Sequence, residues 1–187
     1  LDLDLPIRFI TTLSSRTNLK GMIVSNRAIQ AIAEVLVDDT VIRIMNLHAC
    51  GIGDVGCAAL SSTILTMRAL TNLNLSSNAI ECQGAISLSQ ALDKAACPLL
   101  RVSFTGNRIK LKGAKALVSA ALNPDCKLVY LSLTNNLLRP GDVQTLASLA
   151  GSNYTNKGQQ RFYPRDEFEG PTPGRCPPRP PPSPPPP

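Results

Sequence analysis

Leu70-Thr71-Asn72-Leu73-Asn74-Leu75-Ser76-Ser77-Asn78-Ala79-Ile80, read together with Gly84, Leu88 and Leu92, describes two structures joined by a turn. Leu73 and Leu75 alternate with polar residues, the pattern of a short strand with one buried face. Gly84, Leu88 and Leu92 recur every four residues, as on the inward face of a helix. The frame returns downstream as Leu99, Val102, Phe104, Asn107, Ile109, Gly113, Leu117, then as Leu128, Leu131, Leu133, Asn136, Leu138, Asp142, Leu146. Upstream it reads Ile42, Met45, Leu47, Cys50, Ile52, Gly56, Leu60, Ile64, with a weaker copy at Leu19, Met22, Val24, Ala28, Ile32, Leu36. The slot holding Asn or Cys steps through 50, 78, 107 and 136, a period of 28 or 29 residues.

A unit this short cannot bury a strand face and a helix face by itself, so neighbouring units must stack into a continuous core. The expected fold is an α/β solenoid of curved strand–helix repeats, with a parallel sheet on the concave face and a disordered proline-rich tail. Its expected divisions are 1–12, an N-terminal flank or remnant of a preceding repeat; 13–151, about five repeats; 152–170, a polar C-terminal flank; and 171–187, the tail. The flank carries Tyr154, Phe162, Tyr163 and Phe168 and reads as a strip covering the open end of the last repeat. A first residue of Leu rather than Met reads as a piece of a longer chain.

The frame L-x-x-L-x-L-x-x-N/C-x-L resembles the leucine-rich repeat. The 28–29 period and the join Asn123-Pro124-Asp125-Cys126-Lys127-Leu128 resemble its ribonuclease-inhibitor-like subfamily. That resemblance implies a binding scaffold more than any one activity, because the repeat hosts inhibitors, GTPase activators, immune receptors and actin regulators.

Asn78, Asn107 and Asn136 are polar residues in an apolar frame, and a structural role accounts for them. A side-chain amide at a strand's exit can bond loop backbone that the sheet leaves unpaired. Cys50 fills the same slot as a small, weakly polar residue. Met22 breaks the pattern and marks the first copy as a cap or a degenerate repeat. Cys97 and Cys126 occupy equivalent points two residues before a strand's first leucine, where small apolar packing is expected.

The chain is 43% hydrophobic but 4% aromatic, and its net charge of +6 is spread along it. A nucleic-acid module would concentrate that charge and interleave stacking rings, so nucleic acid is not the expected partner. No run approaches the roughly 18 apolar residues of a membrane span. Six cysteines without a C-x-x-C pair or a histidine at metal spacing read as thiols in a reducing cytoplasm, with no metal and no cofactor.

Strand periodicity sets out three exposed columns. Arg16, Ile44, Asn72, Arg101 and Tyr130 precede the buried pair; Asn18, Asn46, Asn74, Ser103 and Ser132 lie within it; Lys20, His48, Ser76, Thr105 and Thr134 follow it. No carboxylate pair, no nucleophile beside a base and no phosphate loop occurs there, so no catalytic residue is assigned. A protein-binding face is expected instead, formed by Arg16, Lys20, Ile44, Asn46, His48, Asn72, Asn74, Arg101, Ser103, Tyr130 and Ser132. Five strands about 4.8 Å apart offer only a few hundred Å², below the ~800 Å² per partner of a stable interface, so loops or flanks must add contacts. Arg108, Lys110, Lys112 and Lys115 cluster at the start of the fourth repeat's helix, where a solvated surface is the expected role.

Eleven of the 16 prolines fall within 171–187, a composition suited to polyproline II. Arg175, Pro178 and Pro181 fit R-x-x-P-x-x-P, a pattern that could seat in an SH3 groove, and the final prolines could suit WW or profilin-type modules. The expected function is thus a non-catalytic protein–protein interaction scaffold with a polyproline ligand tail. Solenoid followed by polyproline resembles the arrangement in leiomodins and the large capping-protein-binding actin regulators, which implies an actin-regulatory module as an alternative, although no actin-binding motif is visible. A Ran-activating type of GTPase activator is a second alternative. That resemblance implies an arginine near the first repeats, for which Arg16 and Arg27 qualify by place, and an acidic tail, which this chain lacks.

Overall fold

The computed structural model describes residues 16–21, 24, 26–36 and 41–151. Strands and helices alternate as the two periods require: β1 (Arg16–Asn18), α1 (Asn26–Val35), β2 (Ile44–Asn46), α2 (Asp54–Ile64), β3 (Asn72–Asn74), α3 (Cys82–Leu92), β4 (Arg101–Ser103), α4 (Leu111–Leu122), β5 (Tyr130–Ser132) and α5 (Pro140–Gly151). The strands pair in chain order into one five-stranded parallel sheet. Arg16 is in register with Ile44, Ile44 with Asn72, Asn72 with Arg101, and Arg101 with Tyr130, so the columns expected from the sequence form continuous rows.

The core lies between sheet and helices. Leu73, Leu75, Leu88 and Leu92 are fully buried, as are Val102, Phe104 and Leu117 one repeat on. Adjacent helices approach closely enough to demand glycine. A Cβ on Gly113 would lie 3.0 Å from the Cα of Cys82 and 3.0 Å from the Cβ of Ala85. Strand starts at 16, 44, 72, 101 and 130 step by 28, 28, 29 and 29. The additional residue falls between helix and strand: Gly56 precedes Leu70 by 14 residues, whereas Gly84 precedes Leu99, and Gly113 precedes Leu128, by 15. There Cys97 donates its N–H to Lys94 O at 2.9 Å and Cys126 to Asn123 O at 3.0 Å, each closing a tight turn after the helix.

The slot residues tie each repeat to the one before it. Asn78 accepts the N–H groups of Cys50 and Ile52 on Oδ1, both at 3.0 Å, and donates through Nδ2 to Leu47 O at 2.8 Å and Leu75 O at 3.0 Å. Asn107 accepts from Ile80 N–H at 3.1 Å and donates to Leu75 O at 2.8 Å and Phe104 O at 2.9 Å. Asn136 accepts from Ile109 N–H at 3.0 Å and donates to Phe104 O at 2.9 Å. In the first of these slots the Cys50 thiol donates to Leu19 O at 3.0 Å, the counterpart of the Asn78 bond to Leu47 O. One residue ahead of every slot the backbone turns left-handed, at Gly21, Ala49, Ser77, Gly106 and Asn135. Asn and Gly enter this region readily, whereas Ala49 at φ 55° carries a Cβ against the following carbonyl.

One expectation needs correction. Asn74, Ser76, Ser103 and Ser132 are expected on exposed columns, but they retain only 7%, 4%, 1% and 4% of their accessible surface. They do point away from the leucines. Closely spaced strands carrying short side chains roof one another, and hydrogen bonds close the remaining gaps. The flank 1–12, the flank 152–170, the tail 171–187 with Arg175, Pro178 and Pro181, and Met22 lie outside the described residues, as do the side chains of Arg16 and Arg27.

Replacing Asn107 with Ala leaves the buried Ile80 N–H without its acceptor and takes one donor each from Leu75 O and Phe104 O, which Asn78 and Asn136 still reach, and should cost about 1–3 kcal/mol, read from the denaturant midpoint. Asn74→Ala removes one buried acceptor, of Ser76 N–H at 3.0 Å, and should cost about 1 kcal/mol rather than the nothing expected of an exposed site. In the opposite direction, Ala49→Gly relieves the left-handed Cβ contact and should stabilise by up to about 1 kcal/mol. A lower midpoint for Ala49→Gly would show that the strain is not felt.

Candidate functional site

The outward face of the sheet divides into two halves with different chemistry. Across β1 to β3 an asparagine two residues upstream holds the strand's exit. Asn18 Oδ1 accepts Lys20 N–H at 3.1 Å, Asn46 accepts His48 N–H at 3.2 Å, and Asn74 accepts Ser76 N–H. From β3 to β5 hydroxyls take over and bond across strands. Ser76 Oγ lies 2.8 Å from Ser103 Oγ, Ser103 Oγ lies 3.2 Å from Thr105 Oγ1, and Thr105 Oγ1 lies 2.8 Å from Ser132 Oγ and 3.0 Å from Thr134 Oγ1. This mesh bonds the hydroxyls to one another and braces the face.

What this face can offer a partner lies in the first column and its borders. Arg101 is exposed and Tyr130 half-buried on adjacent strands, with the guanidinium carbon 5.9 Å from the ring centroid, within cation–π range. Leu100 and Val129 are exposed beside them at 37% and 51%, adding apolar area next to the pair. Ile44, Asn72, Asn46 and His48 are half-buried, and Lys20 is exposed. The fifteen residues of the three columns include no Asp or Glu, while Arg16, Lys20 and Arg101 are basic. The sequence placed Arg101 beside Tyr130; it gave no sign of the hydroxyl mesh, whose links between strands join residues 27 to 29 apart. Among the described residues no group of three or more His, Cys, Asp or Glu could hold a metal ion, and no helix is long and apolar enough to cross a membrane. Arg108, Lys110 and Lys112 are exposed at the start of α4, with Lys115 one turn in, all on the helical side and away from this face.

Cys50, Cys57, Cys97 and Cys126 are buried thiols, and Cys82 is half-buried. Burial, reinforced by the charge of Asp54, pushes the Cys57 thiol up from 9.0 to about 12; burial likewise raises Cys97. The thiolate is the reactive form, so both are inert at neutral pH. Native alkylation should label Cys82 ahead of Cys57 and Cys97, which should react only on unfolding; mass mapping that finds Cys57 modified as fast as Cys82 would contradict this packing. Because the unfolded chain loses the Cys57 proton near pH 9 and the folded chain retains it, stability should fall as pH rises from about 9 towards 12, and less steeply in Cys57→Ala.

The family described as Leucine Rich repeat matches residues 66–89, the stretch spanning β3 and most of α3. None of the curated proteins matches the sequence. Among solved structures, "Leiomodin-1 Actin-Binding Site 2 (ABS2)" is similar over 81% of this chain and 89% of its own, with a TM-score of 0.62 and 19% identity. A likeness at that identity speaks to fold, and it agrees with the repeat read from the residues. The chain carries the leucine-rich-repeat α/β fold.

Proposed function

We propose that this chain is a non-catalytic protein-binding scaffold of the cytoplasm, gripping its partner through the outward face of the sheet. The observation that carries the reading is Arg101 over Tyr130, an arginine and a tyrosine preassembled on neighbouring strands and bordered by exposed Leu100 and Val129. Arginine and tyrosine are the residue types that dominate binding energy where they sit among apolar neighbours. With basic side chains in the columns and no carboxylate, the face complements an acidic partner segment that brings one apolar side chain to the Leu100–Val129 border. Arg16, Lys20, Ile44, Asn46, His48 and Asn72 supply the surrounding contacts; Asn74, Ser103 and Ser132 act beneath them as bracing. Period and join sequence favour the ribonuclease-inhibitor-like subfamily. The proline segment, through Arg175, Pro178 and Pro181, serves a separate polyproline-binding module of the SH3, WW or profilin type.

A second reading has one specific observation behind it: the similar structure is named as an actin-binding site of leiomodin-1. In that reading the acidic partner is actin, and the module is actin-regulatory.

A binding comparison separates the parts. The double variant Arg101→Ala/Tyr130→Ala should lose the main partner by roughly 30-fold or more, the scale of a hot-spot pair at about 2 kcal/mol, while circular dichroism keeps the folded signature, since Arg101 is exposed and Tyr130 only half-buried. Arg175→Ala should leave that partner bound and weaken only an SH3 contact. Titration with monomeric actin tests the second reading directly. If the double variant keeps every partner and deletion of 171–187 loses them all, the solenoid is a carrier and the scaffold reading fails.

A further inference from the structure

Among the described residues, none stacks on the last repeat where a sixth would lie. Leu75 and Phe104 are wholly buried, yet their counterpart Leu133 is only partly so; Ile80 and Ile109 are wholly buried, yet Leu138 is not. Their shared difference is position, since each inner residue is roofed by the following repeat and the described residues hold no repeat beyond β5 and α5. The result is an almost wholly apolar cleft of about 470 Å³ between the end of the sheet, α4 and α5, lined by Leu133, Leu138, Val143, Leu146, Ala147 and Gly151 among others. Val143 is 53% exposed at its rim.

We infer that this cleft is a docking groove for the chain's own aromatic segment, 154–168, which closes the solenoid as a terminal cap. Three observations favour that occupant. Gly151, which ends α5, itself lines the cleft, so the chain leaves the described fold at the groove's edge. Four of the seven aromatic residues of the whole chain, Tyr154, Phe162, Tyr163 and Phe168, follow within the next 17 positions, in a protein whose repeats use almost none. Reach is no obstacle: the 11 residues from Gly151 to Phe162 extend up to about 36–40 Å, against roughly 19 Å across five strands. A solenoid end needs a cap that covers its apolar side and turns a polar side outward, and aromatic rings set among Lys157, Arg161, Arg165, Asp166 and Glu167 provide both. Each ring can bury about 150–250 Å². The inference does not depend on the binding face, which lies on the other surface of the sheet.

The protein has no Trp, so single reporters can be read without background. Tyr154→Trp, Phe162→Trp, Tyr163→Trp and Phe168→Trp are made separately in the full chain, and emission and acrylamide quenching are measured across a range of protein concentrations. At least one reporter should emit to the blue of a solvated indole and be shielded from acrylamide several-fold, independently of concentration. Adding Ala147→Glu, a charge on an exposed position of the cleft, should return that reporter to solvent behaviour and lower the melting temperature while circular dichroism keeps the folded signature. Four solvated reporters would overturn the inference and leave the groove for another protein. Shielding that grows with concentration would overturn it in favour of a second copy, and shielding indifferent to Ala147→Glu would place the segment elsewhere.

Discussion

Asn78, Asn107 and Asn136 each bond the backbone of the preceding repeat as well as their own. Asn78 satisfies Cys50, Ile52 and Leu47 of the preceding repeat as well as Leu75 of its own, and Asn107 and Asn136 repeat the arrangement one step on. Three-residue strands have few ladder bonds with which to hold a sheet together. The turns beyond them would leave buried donors and acceptors unpaired, each a loss of about 1–3 kcal/mol. The amide side chain repairs both deficits at once, and it can do so only if the backbone one residue earlier turns left-handed to aim it inward. Register, turn and inter-repeat adhesion are therefore one constraint.

That constraint fixes the direction of cohesion. The contacts run from each repeat to its neighbours and no farther, so stability accumulates by addition along the row and is thinnest at the ends. At the first end a thiol takes the place of the amide, with Cys50 reaching Leu19 O and His48 O. At the other, Leu133 and Leu138 remain partly exposed where their inner counterparts have no exposed surface. Between them the outward face is stiffened by hydroxyls bonded across β3 to β5, a platform that keeps Arg101 and Tyr130 at fixed separation and lowers the entropy that a partner would otherwise lose in ordering them.

The architecture was legible because two incompatible periods alternate in a fixed frame: Leu73-x-Leu75 admits only a strand and Gly84, Leu88, Leu92 only a helix. Every strand pairing followed from aligning the frames, and so did the adjacency of Arg101 and Tyr130. Periodicity gives the direction in which a side chain points but not what lies over it. That is why Ser103 and Ser132, facing outward as expected, are enclosed: each bonds a hydroxyl a full repeat away, while Asn74 is enclosed over the N–H of Ser76. The slot asparagines showed the opposite limit. Their role in holding the turn was legible from a polar residue in an apolar frame, whereas the reach into the preceding repeat was not, since it depends on how closely the stacked turns approach.

The sheet tolerates no slippage, yet the period is not constant. The extra residue of the later repeats sits in the join between helix and strand, around Cys97 and Cys126, away from the bonds of Asn78, Asn107 and Asn136 and from the strand pairing. Insertions and deletions arising there change the length of the returning segment without shifting a single pairing, whereas one falling between a strand and its asparagine would turn leucines outward and pull the amide off its partners. A lineage of such chains would then be free to drift in repeat length on the helical side while the spacing from Leu73 to Asn78 stays fixed. The join is the fold's expansion gap.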